Sequence, residues 1–86
     1  MAKVVFQSWN EGLEKVSLTK LQMNILGMSL KESKINVDDL LDGKTILFVI
    51  DDNTMARTFY NESIKLGVNC EILLEEQDEF NSKTLL

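Results

Sequence analysis

The chain has 86 residues, with 9 Lys and Arg against 14 Asp and Glu, so its formal net charge is −5. It contains one Cys, no His and no Pro, and 44% of its residues are hydrophobic. This composition favours a globular domain over a disordered chain, excludes an internal disulfide, and lacks the usual general base of hydrolases. Because the sequence also begins without a secretory signal pattern, we expect a cytoplasmic protein. Because it has no His, we expect a non-enzymatic protein with no cofactor and no metal site.

The first predicted elements are a strand and a helix. Residues 3–8 combine β-branched and aromatic side chains, which is typical of a strand. Over residues 15–26 the apolar residues recur with a helical period. Gly27 is expected to end this helix in the left-handed conformation. The helix face predicted to point into the core consists of Leu18, Leu21, Ile25 and Leu26.

A second helix is predicted to begin after Ser29. The run Ser29-Leu30-Lys31-Glu32 fits a capping box, in which the serine hydroxyl accepts a hydrogen bond from the Glu32 amide. In the same motif the Glu32 side chain reaches back to the Ser29 amide. The helix should end near Asp42, with Gly43 as the stop. Its predicted inward residues are Leu30, Val37, Leu40 and Leu41.

The remaining predicted elements are a strand, a helix and a final strand. Residues 45–50 are nearly all apolar, which predicts the most deeply buried strand, and the run is far too short to span a membrane. Polar residues at 51–53 are expected to cap a helix over 54–66, and residues 68–74 alternate as in a half-buried strand. The predicted inward residues of this third helix are Met55, Ala56, Phe59, Ser63 and Leu66.

These elements predict an α+β fold of two layers in the order β-α-α-β-α-β. We expect a three-stranded sheet with three helices packed on one face. One domain should cover residues 1–74, followed by an acidic, flexible tail over 75–86. The oligomeric state does not follow from the sequence, although an edge strand at residues 4–8 or 68–74 would be the place for a second copy to pair.

Three sequence features suggest site chemistry but are better explained by structure. Residues 43–45 (GKT) are similar to the end of a phosphate-binding loop, yet they run from helix into strand, which is the wrong direction. Asp51 and Asp52 are expected to cap a helix rather than to bind a cation. Cys70 alternates with predicted core residues and has no His to activate it, so we expect a structural thiol.

A cluster of lysines on the two predicted helices of residues 15–41 marks the candidate binding surface. The net negative charge argues against direct nucleic-acid binding except as part of a ribonucleoprotein. Val16 and Met23 are apolar residues that lie away from the predicted core face and are flanked by lysines, a pattern typical of a modest protein interface. The predicted partner-binding residues are Lys15, Val16, Thr19, Lys20, Met23, Lys31 and Lys34.

The same helices resemble a known family. Residues 15–20 (KVSLTK) and 27–34 (GMSLKESK) resemble the C-terminal domain of the bacterial ribosomal stalk protein, and the resemblance covers roughly residues 4–74. It implies the order of elements given above and a translation-factor-binding face on the first two helices. The adaptor of the Clp protease is similar in general fold, but its Asn-Asp and Thr-Pro-Met segment is not present.

The chain departs from the stalk pattern at several positions. Thr19 stands where the family has Ile, Met23 where it has Arg, and Ser29 where it has a second Gly. The family's dimerisation region and Ala-rich hinge are also missing, which would make this a standalone copy of the domain. Despite these departures, the resemblance implies a module that binds a translation-factor-like or translation-linked protein.

One alternative function stays open at this point. Small size and the acidic run of residues 75–79 are also expected of a phage-encoded or antitoxin-like antagonist that binds and inhibits a host protein. An enzyme would require carboxylates such as Asp51 and Asp52 to work without a histidine.

Overall fold

A computed structural model describes residues 1–74 of the chain. It confirms the predicted α+β class, with elements in the order β1 (Ala2–Trp9), α1 (Lys15–Leu26), α2 (Leu30–Leu41), β2 (Ile46–Ile50), α3 (Asn53–Lys65) and β3 (Val68–Leu74). The observed ends differ from the predicted ones by at most one residue, and both ends of α1 and of β3 agree. The predicted tail over 75–86 lies outside the described residues.

The three strands form one antiparallel sheet in the order β2-β1-β3. Val4 of the central strand β1 pairs with Phe48 on one side and with Ile72 on the other. The expectation of an edge strand at residues 4–8 is therefore wrong, because both sides of β1 are occupied by neighbouring strands. The two edges of the sheet are β2 and β3.

The helices cover only one face of this sheet. Phe48 and Ile50 of β2 point into the core, whereas Leu47 and Val49 are 56% and 55% exposed on the other face, which we call the open face. The prediction that residues 45–50 form the most deeply buried strand is wrong. An antiparallel sheet needs cover on one side only, and an apolar run at its edge leaves alternate side chains in water.

Three phenylalanines from different elements form the centre of the core. The ring centroids of Phe6 and Phe48 lie 4.8 Å apart, those of Phe48 and Phe59 4.9 Å, and those of Phe6 and Phe59 5.5 Å. Leu18 of α1 and Leu40 of α2 are also fully buried in this core. Aromatic pairs at these distances add to the free energy gained by burying the rings, so the cluster fixes α3 to strands β1 and β2 of the sheet.

Two residues predicted to point inward are exposed instead. Leu30 is 54% exposed and Met55 is 38% exposed. Both follow the buried stripe of their helix, but each lies in the first turn, before the residues that pack on the sheet. A helical period identifies which side of a helix is apolar but not where along its length the core begins.

The loop before α1 is fixed by the turn between α3 and β3. The Asn10 amide donates to the Gly67 carbonyl at 2.8 Å, and the Glu14 amide donates to the Leu66 carbonyl at 3.0 Å. Gly67 has φ +106°, and a Cβ added there would lie 3.1 Å from Leu13 Cα. Only glycine tolerates both the positive φ and the close approach to Leu13. The contact between Gly67 and the loop before α1 therefore sets where α1 begins.

Candidate protein-binding groove

Helices α1 and α2 are joined by a tight turn whose residues follow the predicted chemistry. Gly27 adopts φ +67° at the end of α1, and its amide donates to the carbonyls of Gln22 and Met23. Ser29 Oγ accepts from the Glu32 amide at 3.1 Å. The Glu32 carboxylate accepts from the Ser29 hydroxyl at 3.3 Å rather than from the Ser29 amide, so only the first half of the predicted capping box forms as expected.

A buried glutamine holds the two helices together. Gln22 Nε2 donates to the Leu18 carbonyl at 3.2 Å and to the Ser33 carbonyl at 3.1 Å, and its Oε1 accepts from Asn36 Nδ2 at 2.9 Å. The Gln22 side chain is fully buried, and two of these bonds cross from α1 to α2. Because a buried amide is costly to leave unpaired, this network fixes how α1 and α2 sit against each other.

A shallow groove of about 150 Å³ lies between α1 and α2. Val16, 68% exposed, is the most prominent apolar side chain at it, whereas Val37 is buried. Thr19 is 9% exposed, and its Oγ1 donates to the Lys15 carbonyl at 3.0 Å. The groove is lined by Lys15, Val16, Thr19, Lys34, Val37 and Asp38.

Four of the seven predicted binding residues line this groove. They are Lys15, Val16, Thr19 and Lys34. Thr19 belongs to the buried part of α1 and offers a partner little surface. Its hydroxyl already donates a hydrogen bond to the helix backbone. Lys20 and Lys31 are exposed on the same helices without lining the groove, and Met23 is half-buried.

The sequence did not identify every residue that lines the groove or that holds its two helices together. Val37 was predicted only as a core residue, Asp38 was not among the predicted partner-binding residues, and Gln22 and Asn36 were assigned no role. The available signal was the position of Gln22, four residues after Leu18 on the inward stripe of α1. A polar residue on such a stripe indicates an internal hydrogen-bond network.

Two lysines, Lys15 and Lys34, and one carboxylate, Asp38, are the charged residues that line the groove. Lys44 pairs with Asp39 at 3.6 Å and Lys65 with Glu62 at 3.1 Å, but no carboxylate of residues 1–74 lies within 4.0 Å of the ammonium groups of Lys15 or Lys34. An exposed valine beside two such lysines presents an apolar contact and two donors to a partner. This arrangement suits a protein surface with an apolar side chain next to carboxylates.

The other candidate chemistry has structural explanations. Asp52 Oδ1 accepts from the amides of Thr54 and Met55 at 2.8 Å and 3.2 Å and caps α3, whereas Asp51 makes no such bond among residues 1–74. Burial raises the pKa of the Cys70 thiol from 9.0 to about 11, and the thiol lies 3.9 Å from the Tyr60 carbonyl. A thiol with a raised pKa is a poor nucleophile at neutral pH.

Residues 1–74 offer neither a cluster of metal ligands nor a membrane-spanning helix. Among residues 1–74, no group of three or more His, Cys, Asp or Glu side chains is placed to hold a metal ion. Within the same residues, no helix has the length and apolar character needed to cross a membrane. No protein-family model matches the sequence, and the comparison with curated proteins finds no match.

Proposed function

We propose that this chain is a non-enzymatic module that binds a protein partner through the α1–α2 groove. The observation behind the proposal is the groove itself, in which the exposed Val16 lies between the helices beside Lys15 and Lys34. The partner that fits them has an apolar side chain flanked by carboxylates.

A translation-linked protein is the partner class that we propose. The basis is the resemblance of residues 15–20 and 27–34 to the ribosomal stalk domain, whose first two helices form the factor-binding face. Here those two helices lie side by side, joined by the Gly27 turn and the Gln22 network. The acidic run of residues 75–79, on which the antagonist alternative depends, lies outside the described residues.

Affinity capture with matched variants tests the proposal. The tagged chain is used to capture proteins from an extract of its source cells, in parallel with the double variant Val16→Ser and Lys34→Glu. The matched control combines Ile64→Ser with Arg57→Glu on the exposed side of α3, which changes the same number of apolar and charged residues.

The expected result is a translation factor that binds the natural chain and the control but binds the groove variant about tenfold more weakly or less. Each of the four substituted side chains is exposed, so far-ultraviolet circular dichroism should show both variants folded. A partner that binds the groove variant as tightly as the natural chain would contradict the assigned surface. A specific partner unrelated to translation would contradict the partner class only.

A further inference from the structure

The β2 edge of the sheet lacks the usual protection against another strand. β2 pairs with β1 on one side only, and its five residues, Ile-Leu-Phe-Val-Ile, include no lysine and no proline. No backbone hydrogen bond from a loop or a helix cap reaches β2 within residues 1–74. The opposite edge, β3, differs because it carries polar Asn69 and Glu71 on the open face. An unprotected apolar edge is a template for a further strand.

Space for such a strand exists beside β2. A groove of about 500 Å³ runs along this edge and is lined by residues 47–52 together with Leu26, Met28 and Met55. Leu47 and Val49, on the open face, are each more than half exposed. Apolar side chains therefore lie on both sides of the free backbone edge.

The sequence around β2 is complementary to itself when it is reversed. If two copies of residues 44–52 run antiparallel about Phe48, Leu47 faces Val49 of the other copy and Ile46 faces Ile50. Lys44 then faces Asp52, so apolar residues meet apolar residues and opposite charges meet at both ends. Cross-strand pairs of both kinds stabilise antiparallel sheets, and the reversed pairing is what a two-fold axis produces.

The charged ends are accessible for this pairing. The cap of α3 uses only Oδ1 of Asp52. The Lys44 side chain is 65% exposed, and its Nζ lies 3.6 Å from Asp39, a loose contact that leaves the ammonium group able to approach a second carboxylate. Lys44 and Asp52 are both exposed, and each lies two residues beyond an end of β2 (Ile46–Ile50).

We propose that two copies of this chain associate through antiparallel pairing of β2 about Phe48. The product is a symmetric dimer with one continuous six-stranded sheet, in which Leu47 and Val49 of both copies form an apolar patch on the open face. This interface is separate from the α1–α2 groove, so it goes beyond the proposed function and leaves the groove accessible. A strand from another protein would have to reproduce the reversed order of charges that a second copy supplies.

The chain offers a closely matched pair of variants for the test. Val49 and Leu73 both lie on the open face, 55% and 53% exposed, and both pair with Lys3 of β1, one from each side. Val49→Glu places a carboxylate at the proposed interface, and Leu73→Glu makes the same change at the opposite edge. In both variants the new carboxylate faces Lys3 of β1.

Sedimentation equilibrium from micromolar to millimolar concentration measures the result on the full chain. We expect the natural chain and Leu73→Glu to reach twice the monomer mass of 9.8 kDa, and Val49→Glu to dimerise at least about tenfold more weakly. Hydrogen exchange of residues 46–50 should slow as the natural chain is concentrated.

A second pair of variants keeps the proposal falsifiable if Val49→Glu does not fold. Lys44→Glu places like charges at both ends of the interface and should weaken the dimer, whereas Lys15→Glu, the same change on α1, should not. A natural chain that is monomeric throughout overturns the proposal. A dimer that survives both Val49→Glu and Lys44→Glu, or that Leu73→Glu disrupts equally, also overturns it, because the contact then lies elsewhere.

Discussion

The Gln22 network offers the most detailed test of how the two helices are held. Removing Asn36 with Asn36→Ala leaves the Oε1 of Gln22, in a fully buried side chain, without the donor that lies 2.9 Å away. An unsatisfied buried acceptor costs about 1–3 kcal/mol, from which the better helix propensity of alanine returns about 0.5 kcal/mol. We therefore expect Asn36→Ala to lower the free energy of unfolding by about 0.5–2.5 kcal/mol.

A double-mutant cycle isolates the contact between the two side chains. In a Gln22→Leu background no acceptor remains for Asn36, so Asn36→Ala should cost less than about 0.5 kcal/mol. The assay is urea unfolding followed by far-ultraviolet circular dichroism, with all four proteins compared at one temperature. An equal cost of Asn36→Ala in both backgrounds would refute the hydrogen bond as the link between α1 and α2.

Three further predictions concern the rest of the fold. Gly67→Ala should lower the free energy of unfolding by about 1 kcal/mol more than Gly12→Ala. Both glycines have positive φ, but only a Cβ at position 67 would crowd another part of the chain, the backbone of Leu13. Thermal unfolding measures the difference, and equal losses would contradict the contact. Cys70 should react with iodoacetamide at pH 8 at least about tenfold more slowly in the folded chain than in urea, and a fast reaction of the folded chain would place the thiol in water. The free energy of unfolding should also fall as the pH rises above about 9, because the thiol ionises first in the unfolded chain. The hydroxyl of Ser63 is buried without a hydrogen-bond partner in residues 1–74, so Ser63→Ala should raise the free energy of unfolding by about 0.5–1 kcal/mol; a loss of stability would reveal a partner.

The helix boundaries follow from local chemistry, which explains why they were predicted well. Gly27 takes the left-handed conformation, Ser29 accepts from the Glu32 amide and Asp52 caps α3, each through bonds within a few residues. Such contacts depend on sequence neighbours alone. The α+β class follows from the resulting alternation of helical and extended segments.

The sheet order did not follow from the sequence, because it depends on contacts between distant residues. An apolar run such as residues 46–50 fits both a central strand and an edge strand that is covered on one side, and only the pairing with β1 distinguishes them. The error over which strands form the edges has the same origin. The consequence is functional, since the exposed Leu47 and Val49 are the basis of the proposed dimer.

The candidate groove was predicted in part. Lys15, Val16 and Lys34 were chosen as charged or apolar residues away from the core stripe, and the structure brings them to one groove. Thr19, predicted as a binding residue, lines the groove but is mostly buried, and the buried Gln22 was assigned no role; the polar atoms of both are bonded to helix backbone or to a neighbouring side chain. A helical period alone does not reveal that a polar side chain has its hydrogen-bond partners inside the fold.

The central claim is that the groove between α1 and α2 binds a protein partner. The most direct measurement is a nuclear magnetic resonance titration of the isotopically labelled chain with the captured partner, which reports each backbone amide separately. The account predicts that the largest shifts fall around Val16, Lys34 and Asp38, with small changes over α3. Shifts concentrated on α3 or on the open face of the sheet, with the groove unchanged, would contradict it.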